Sequence, residues 1–129
     1  MIERHSMWEL TDRQNAIQEI IEEDPRFSEE AYTFILETLR DVIEDLEEVR
    51  HVSGRELSEG CRNRAIELYG PLARSVFAYW GIYKTGDFGE IVYNLIKANQ
   101  LTKTDDDSKD DFNDVFDFNE AFSRPYPWG

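Results

Sequence analysis

Two arginines and a histidine crowd the segment Val49-Arg50-His51-Val52-Ser53-Gly54-Arg55, which leads into a helix. A helix N-terminus presents free N–H groups that favour anions. Guanidinium and imidazole groups beside it could therefore hold a phosphate or a carboxylate. Arg62 and Arg64 continue the basic run along the same helix. The competing expectation, and the preferred one, pairs Arg50 and Arg55 with the acidic face of the preceding helix and leaves His51 to cap or pack. Cys61 lies four residues beyond Leu57 on an apolar face, so it reads as a small core residue and not as a nucleophile partnered by His51. His5 falls in an N-terminal stretch expected to fray. The sequence contains no P-loop, zinc-ligand cluster, dinucleotide fingerprint or nucleophile elbow. No catalytic residue and no cofactor follow, and an enzyme is the minority reading.

The aspartates raise a second chemistry. Asp106, Ser108, Asp110, Asp114 and Asp117 fall at positions one, three, five, nine and twelve of a calcium-loop spacing. The pattern fails at position six, where Gly is required and Asp111 stands, and at twelve, where a bidentate Glu is expected. No flanking helix pair is evident either. Asp106, Asp110, Asp114 and Asp117 are weak cation ligands on this reading, and the expectation is a solvated acidic turn without a metal.

A third cluster is apolar. Trp80-Gly81-Ile82, Asp87-Phe88-Gly89-Glu90 and Tyr126-Pro127-Trp128 concentrate aromatic residues with glycine or proline. Gly86 and Gly89 flank Phe88 at a helix start, which allows close backbone approach. Either Trp80 packs tightly against Phe88, or the two line a groove for a partner helix or peptide. The proline-punctuated tail, Phe122 to Gly129, either docks on the body or binds something else.

The elements that must position these groups are mostly helical. Thr11 and Gln14 make a capping-box pattern for a helix over 11–23, with Ala16, Ile17, Ile20 and Ile21 on one face and Asp24-Pro25 as its stop. Ser28 opens a second helix over 28–48, bracketed by Phe27 and Tyr32 as a hydrophobic staple. Its stripe is Tyr32, Ile35, Leu36, Leu39, Val42, Ile43 and Leu46, and its other face is strongly acidic. Ser53 and Glu56 form another capping box for a helix over 53–69, whose apolar face is Leu57, Cys61, Ala65, Ile66, Leu68 and Tyr69. Gly70-Pro71 leads into a helix over 71–80, with Leu72, Ala73, Val76, Phe77 and Trp80 as burial candidates and Gly81 as its C-terminal cap. A fifth helix covers 85–98 with Asn99 at its end. Two short strands around the acidic loop are expected over 100–118.

The fold class that follows is mainly α: one domain over 1–129, made of five helices and a short C-terminal β-hairpin. Residues 11–48 form an N-terminal helical pair, 53–118 follow winged-helix order, and 119–129 form a tail. A winged helix invites DNA binding through its third helix. Here that helix would offer Thr85, Gly86, Asp87, Glu90, Asn94 and Lys97, and the wing holds five aspartates in the seven residues 105–111. Phosphates demand positive charge, so nucleic acid is a disfavoured partner.

The net charge of −14 is unevenly spread. Residues 1–49 carry 4 basic and 15 acidic side chains, 50–103 carry 8 and 5, and 104–129 carry 2 and 8. A weakly basic middle thus lies between two acidic arms, a pattern that solvated helix faces commonly show. At 129 residues and 40% hydrophobic content the chain can build one core. No apolar run approaches the roughly 18–20 residues that span a bilayer, and none reads as a signal peptide. The lone Cys61 fits a reducing compartment, so the expected location is the cytoplasm.

The succession His51-Val52-Ser53-Gly54-Arg55-Glu56-Leu57, Tyr69-Gly70-Pro71-Leu72-Ala73, Trp80-Gly81-Ile82, Asp87-Phe88-Gly89-Glu90-Ile91-Val92, and Asp105 through Phe112 resembles an uncharacterised bacterial family. That family consists of conserved hypothetical proteins, known mainly from the planctomycete and verrucomicrobial group. The likeness spans roughly residues 11–124. It implies a small bacterial cytoplasmic protein and transfers no catalytic role. The expected function is a non-enzymatic protein-interaction module. Its contact residues would come from Arg50, His51, Arg55, Arg62 and Arg64 or from Trp80 and Phe88. A homodimer through the tail stays open. The alternatives are a nucleic-acid-linked regulator and an anion-binding protein or enzyme using residues 50–55.

Overall fold

Several helix ends fall where side chains or neighbouring turns satisfy the backbone groups that a helix leaves open. A computed structural model describes residues 1–3, 10–48 and 50–122, so His5 and the tail from Ser123 to Gly129 lie outside the described residues. Helix α1 (Leu10–Glu23) starts one residue before the expected Thr11 cap and buries Ile17 and Ile20. Helix α2 (Glu29–Glu44) follows an extended Ser28, and the staple forms: the Phe27 and Tyr32 rings meet edge to face at 6.4 Å. Ser28 caps through its backbone position alone, since its side chain accepts no capping bond and its N–H donates to the Trp80 carbonyl. Helix α2 ends at Glu44, short of the expected residue 48. Glu44, Asp45, Glu47 and Glu48 put four carboxylates at its negative C-terminal end, and no basic residue in the last turn offsets them.

Helix α3 (Gly54–Tyr69) opens on the Ser53–Glu56 capping box, with both reciprocal bonds present. A 3₁₀ turn, Gly70–Leu72, takes up Pro71, so helix α4 is only Ala73–Tyr79 and shorter than expected. It closes on Gly81 at φ +93°, where the Ile82 N–H reaches the Phe77 carbonyl and the Gly81 N–H reaches Ala78. Helix α5 (Thr85–Lys97) closes the same way on Asn99 at φ +62°. The Gln100 N–H reaches Leu95 and the Asn99 N–H reaches Ile96, the six-to-one and five-to-two pair of a Schellman ending.

The architecture is a single, mainly helical domain in which α2, α3 and α5 pack around one core. The expected C-terminal hairpin over 100–118 does not form. Strand β2 (Leu101–Thr102) pairs antiparallel with β1 (Ile2–Glu3), far away in sequence, and Ile2 lies opposite Thr102. Met1 is buried beside this pair, and its carbonyl accepts from the Val52 N–H. The aspartates explain the missing second strand. Asp107 accepts from the Thr104 N–H, Asp111 from Ser108, and Asp117 from Asn119 and Glu120. Carboxylates that bond nearby backbone N–H groups make turns and caps, which compete with a ladder. The chain therefore forms a 3₁₀ turn, Lys109–Phe112, and a short helix α6 (Phe118–Phe122), where a tail was expected from residue 119. Helices α3, α4 and α5 keep the expected order, but without a hairpin there is no wing.

The segment after β2 delivers aromatic rings to the core. Phe112 is fully buried between α3 and α5, at two glycines. A Cβ on Gly89 would stand 3.0 Å from the Phe112 ring, and one on Gly54 would stand 3.1 Å from it. Phe118 and Phe122 lie against Phe77 of α4, at 5.7 and 5.6 Å between centroids, and Phe88 of α5 joins the same cluster.

Candidate protein-interaction face

The basic residues singled out from the sequence do not form one patch. Arg55 and Arg62 are seven residues apart on α3 and share a side, whereas Arg64, nine residues from Arg55, points the opposite way at about 100° per residue. Arg64 lies in the groove between α2 and α3, where it pairs with Asp41 and, at 3.0 Å, with Glu37. Arg55 pairs with Glu59 at 3.7 Å, and Arg62 donates to Asn63. Arg50 forks onto Glu56, at 2.9 and 2.7 Å. The anion favoured at the start of α3 is thus already supplied by the chain, as the Glu56 carboxylate. His51 is half-buried, with Nδ1 lacking a hydrogen-bond partner. It lines neither the α2–α3 groove nor the clefts beside Trp80, Thr85 and Asn94.

The Arg50 guanidinium, together with the Ser53 N–H, holds the Glu56 carboxyl down at about 2, against an ordinary value of 4.5. A carboxylate whose pKa falls on folding contributes stability that is complete above the unfolded value and is lost as pH falls through the folded value. Glu56→Ala should therefore lower the unfolding free energy by about 1 kcal/mol at pH 7, the usual scale of a capping interaction. That gap should narrow from pH 4.5 downward and close near pH 2. Urea unfolding of both proteins across that range checks it, and a gap independent of pH would contradict the assignment.

Trp80 and Phe88 separate in the same way. Phe88 is fully buried and contributes nothing to a surface. Phe77 stands between the two, 6.0 Å from Trp80 and 5.6 Å from Phe88, so the expected direct packing is replaced by a three-ring relay. Trp80 turns its other side to Phe34 and Tyr69, at 5.4 and 5.9 Å. These three rings and Leu68 line a cleft of about 420 Å³, rimmed by Glu29 and Glu30.

Beside that cleft lies the surface that the sequence did not reveal. Leu68 is 52% exposed, Leu72 62%, Tyr79 85% and Tyr83 68%. Leu72, at the end of the 3₁₀ turn, and Val76 and Tyr79 of α4 recur at helical spacing along one side, with Val76 half-buried between the other two, while Ala73, Phe77 and Trp80 turn to the core. Leu72 was expected to be buried; the short α4 is covered on one side only. Leu68 was expected inside for the same reason, since it follows Cys61 by seven residues. At that end of α3 the facing positions of α2 are Glu30, Thr33 and Glu37, which leave a cleft instead of a seal. Ile66 is also exposed, because it lies off the Leu57–Cys61–Ala65 stripe.

A second set of charged and polar side chains pairs internally between the α1–α2 turn, α2 and α5. Arg26 bridges Asp24 and Glu90, Lys109 reaches Glu90 at 3.3 Å, and Asn94 donates to both Asp24 and the Tyr32 hydroxyl. The Arg26 guanidinium holds the Asp24 carboxyl well below the usual carboxylate range. Among the described residues no three His, Cys, Asp or Glu side chains converge as metal ligands. Asp106, Asp110, Asp114 and Asp117 are exposed and dispersed, with Asp117 capping α6. Cys61 is buried, and burial pushes its thiol pKa far above the ordinary value, which removes it as a nucleophile. No described helix is long and apolar enough to cross a membrane. The chain matches no protein-family model, no curated protein and no solved structure.

Proposed function

We propose that this protein is a non-enzymatic interaction module whose contact face is the outer side of α4 with the adjoining Trp80 cleft. The observation that supports this reading most is the exposure of Leu68, Leu72, Tyr79 and Tyr83 around the short helix α4, with Val76 half-buried between Leu72 and Tyr79. Aromatic and leucine side chains exposed together mark contact surfaces, whereas scattered ones do not. Tyr79 and Trp80 are the anchor types that dominate interface energies. The pairing of every candidate arginine with a neighbouring acceptor argues against the anion site at residues 50–55. The buried Cys61 suits a reducing cytoplasm, and the motif order suits membership of the bacterial family that the chain resembles.

The face should be dispensable for folding. Leu72→Ser and Tyr79→Ser are each expected to change the unfolding free energy by less than about 0.5 kcal/mol, because neither side chain is packed. The decisive experiment places a photo-crosslinking residue at position 79 and, as a control, at the exposed Glu22 of α1. Crosslinks to a defined partner should form from position 79 in living cells and disappear when Leu72 is also serine. Equal labelling from both positions, or none from position 79, would remove the assignment.

A further inference from the structure

We infer that the occupant of this face is a basic amphipathic segment, a helix or peptide that lays an apolar stripe along α4 and inserts a lysine or arginine into the Trp80 cleft. The inference rests on the interface reading above and adds the chemistry of the partner. The Tyr69 and Trp80 rings line the cleft beside Phe34, and Glu29 and Glu30 line it with them. A cationic side chain there meets ring quadrupoles and carboxylates together, the environment that favours ammonium and guanidinium groups. The protein's own Arg64 already stands over the Phe34 ring, 6.0 Å from its centroid, with its guanidinium held by Glu37 and Asp41, so a partner's cation would meet Tyr69, Trp80 and the two rim glutamates. The cleft of about 420 Å³ has room for one long side chain and no more than a turn of backbone at its mouth.

The charge of the whole chain selects between occupants. At −14, two copies approaching each other repel, and each would bring the same acidic rim to the contact. A basic partner gains from the same field, both in its approach and in the cleft. The apolar stripe beside the cleft sets the second requirement. A partner that is only basic would leave Leu72 and Tyr79 wet, so it must also carry apolar residues at helical spacing.

A fluorescein-labelled 15-residue helical peptide, with leucines at i, i+4 and i+7 and lysine or arginine elsewhere, is the probe. Fluorescence anisotropy at 50 mM salt should show saturable binding. A scrambled peptide of equal composition should bind at least fivefold more weakly, and so should the glutamate counterpart. Glu30→Lys should weaken binding fivefold or more, while Glu47→Lys, the same charge change at the far end of α2, should change it less than twofold. Circular dichroism confirms that both variants stay folded. Equal losses from Glu30→Lys and Glu47→Lys would reduce the effect to bulk charge and overturn the inference. An uncharged amphipathic peptide that bound as well as the basic one, and lost binding in the Leu72→Ser/Tyr79→Ser variant, would overturn the basic assignment while the interface reading stood. No peptide binding, together with a concentration-dependent dimer abolished by that same variant, would assign the face to a second copy and overturn the inference.

Discussion

Phe112→Ala should lower the unfolding free energy by about 3–5 kcal/mol, the usual scale for emptying a buried aromatic site. Domains of this size are stable by roughly 5–15 kcal/mol, so a third or more of the total is at stake. The size of the effect follows from what surrounds the ring. Phe112 is wedged between α3 and α5 where Gly54 and Gly89 bring both backbones close, so neither helix can collapse into the void without losing its other contacts. The wedge also makes a second measurement informative. Gly89→Ala places a methyl group 3.0 Å from the Phe112 ring and should destabilise the wild type. In the Phe112→Ala background the same methyl group enters the vacated space, and its cost should shrink or reverse. Urea unfolding of the four proteins closes the cycle, and strict additivity would refute the wedge.

Gly81→Ala should cost more than about 3 kcal/mol, for two separate reasons. At φ +93° an L-residue is strained by roughly 1–3 kcal/mol. In addition, its Cβ would stand 2.1 Å from the Arg26 carbonyl oxygen, well inside contact distance. That carbonyl belongs to the turn joining α1 to α2, which the Ser28 N–H bond to Trp80 already fastens to the end of α4. Relief requires moving the turn and giving up this bond. Gly70 separates the two contributions. It also has positive φ, at +51°, but a Cβ there meets nothing within 4 Å, so Gly70→Ala should show the backbone cost alone. Thermal unfolding checks both variants, and a loss for Gly81→Ala no larger than the roughly 1–3 kcal/mol of backbone strain would mean that the close approach carries no weight.

The helices were legible because their signals are local. Ser53 with Glu56, Phe27 with Tyr32, and Asn99 at the end of α5 each act within a few residues, and each forms as the sequence implies. The segment after Gln100 misled because alternation of Leu101, Thr102 and the later phenylalanines resembles a hairpin. The aspartate side chains that bond the backbone of residues 104, 108, 119 and 120 override it. The site was the least legible part. The sequence points to pairing of Arg50 and Arg55 with the acidic face of α2, but they pair with Glu56 and Glu59 of α3 itself, and it is Arg64 that reaches Glu37 and Asp41 of α2. Periodicity likewise tells which side of a helix Leu68 or Leu72 occupies. Whether another element covers that side depends on tertiary placement, which periodicity does not contain.

The position of Phe112 late in the chain also sets a schedule for biosynthesis. While the nascent chain emerges, α1, α2 and α3 can wind on local information, and α2 can meet α3. The slot between Gly54 and Gly89 stays open until residue 112 has been translated, and the rings of Phe77 and Phe88 stay uncovered until residues 118–122 follow. A ribosome that stalls after α5 therefore carries a chain with formed helices and an unfilled apolar slot, the kind of species that chaperones bind.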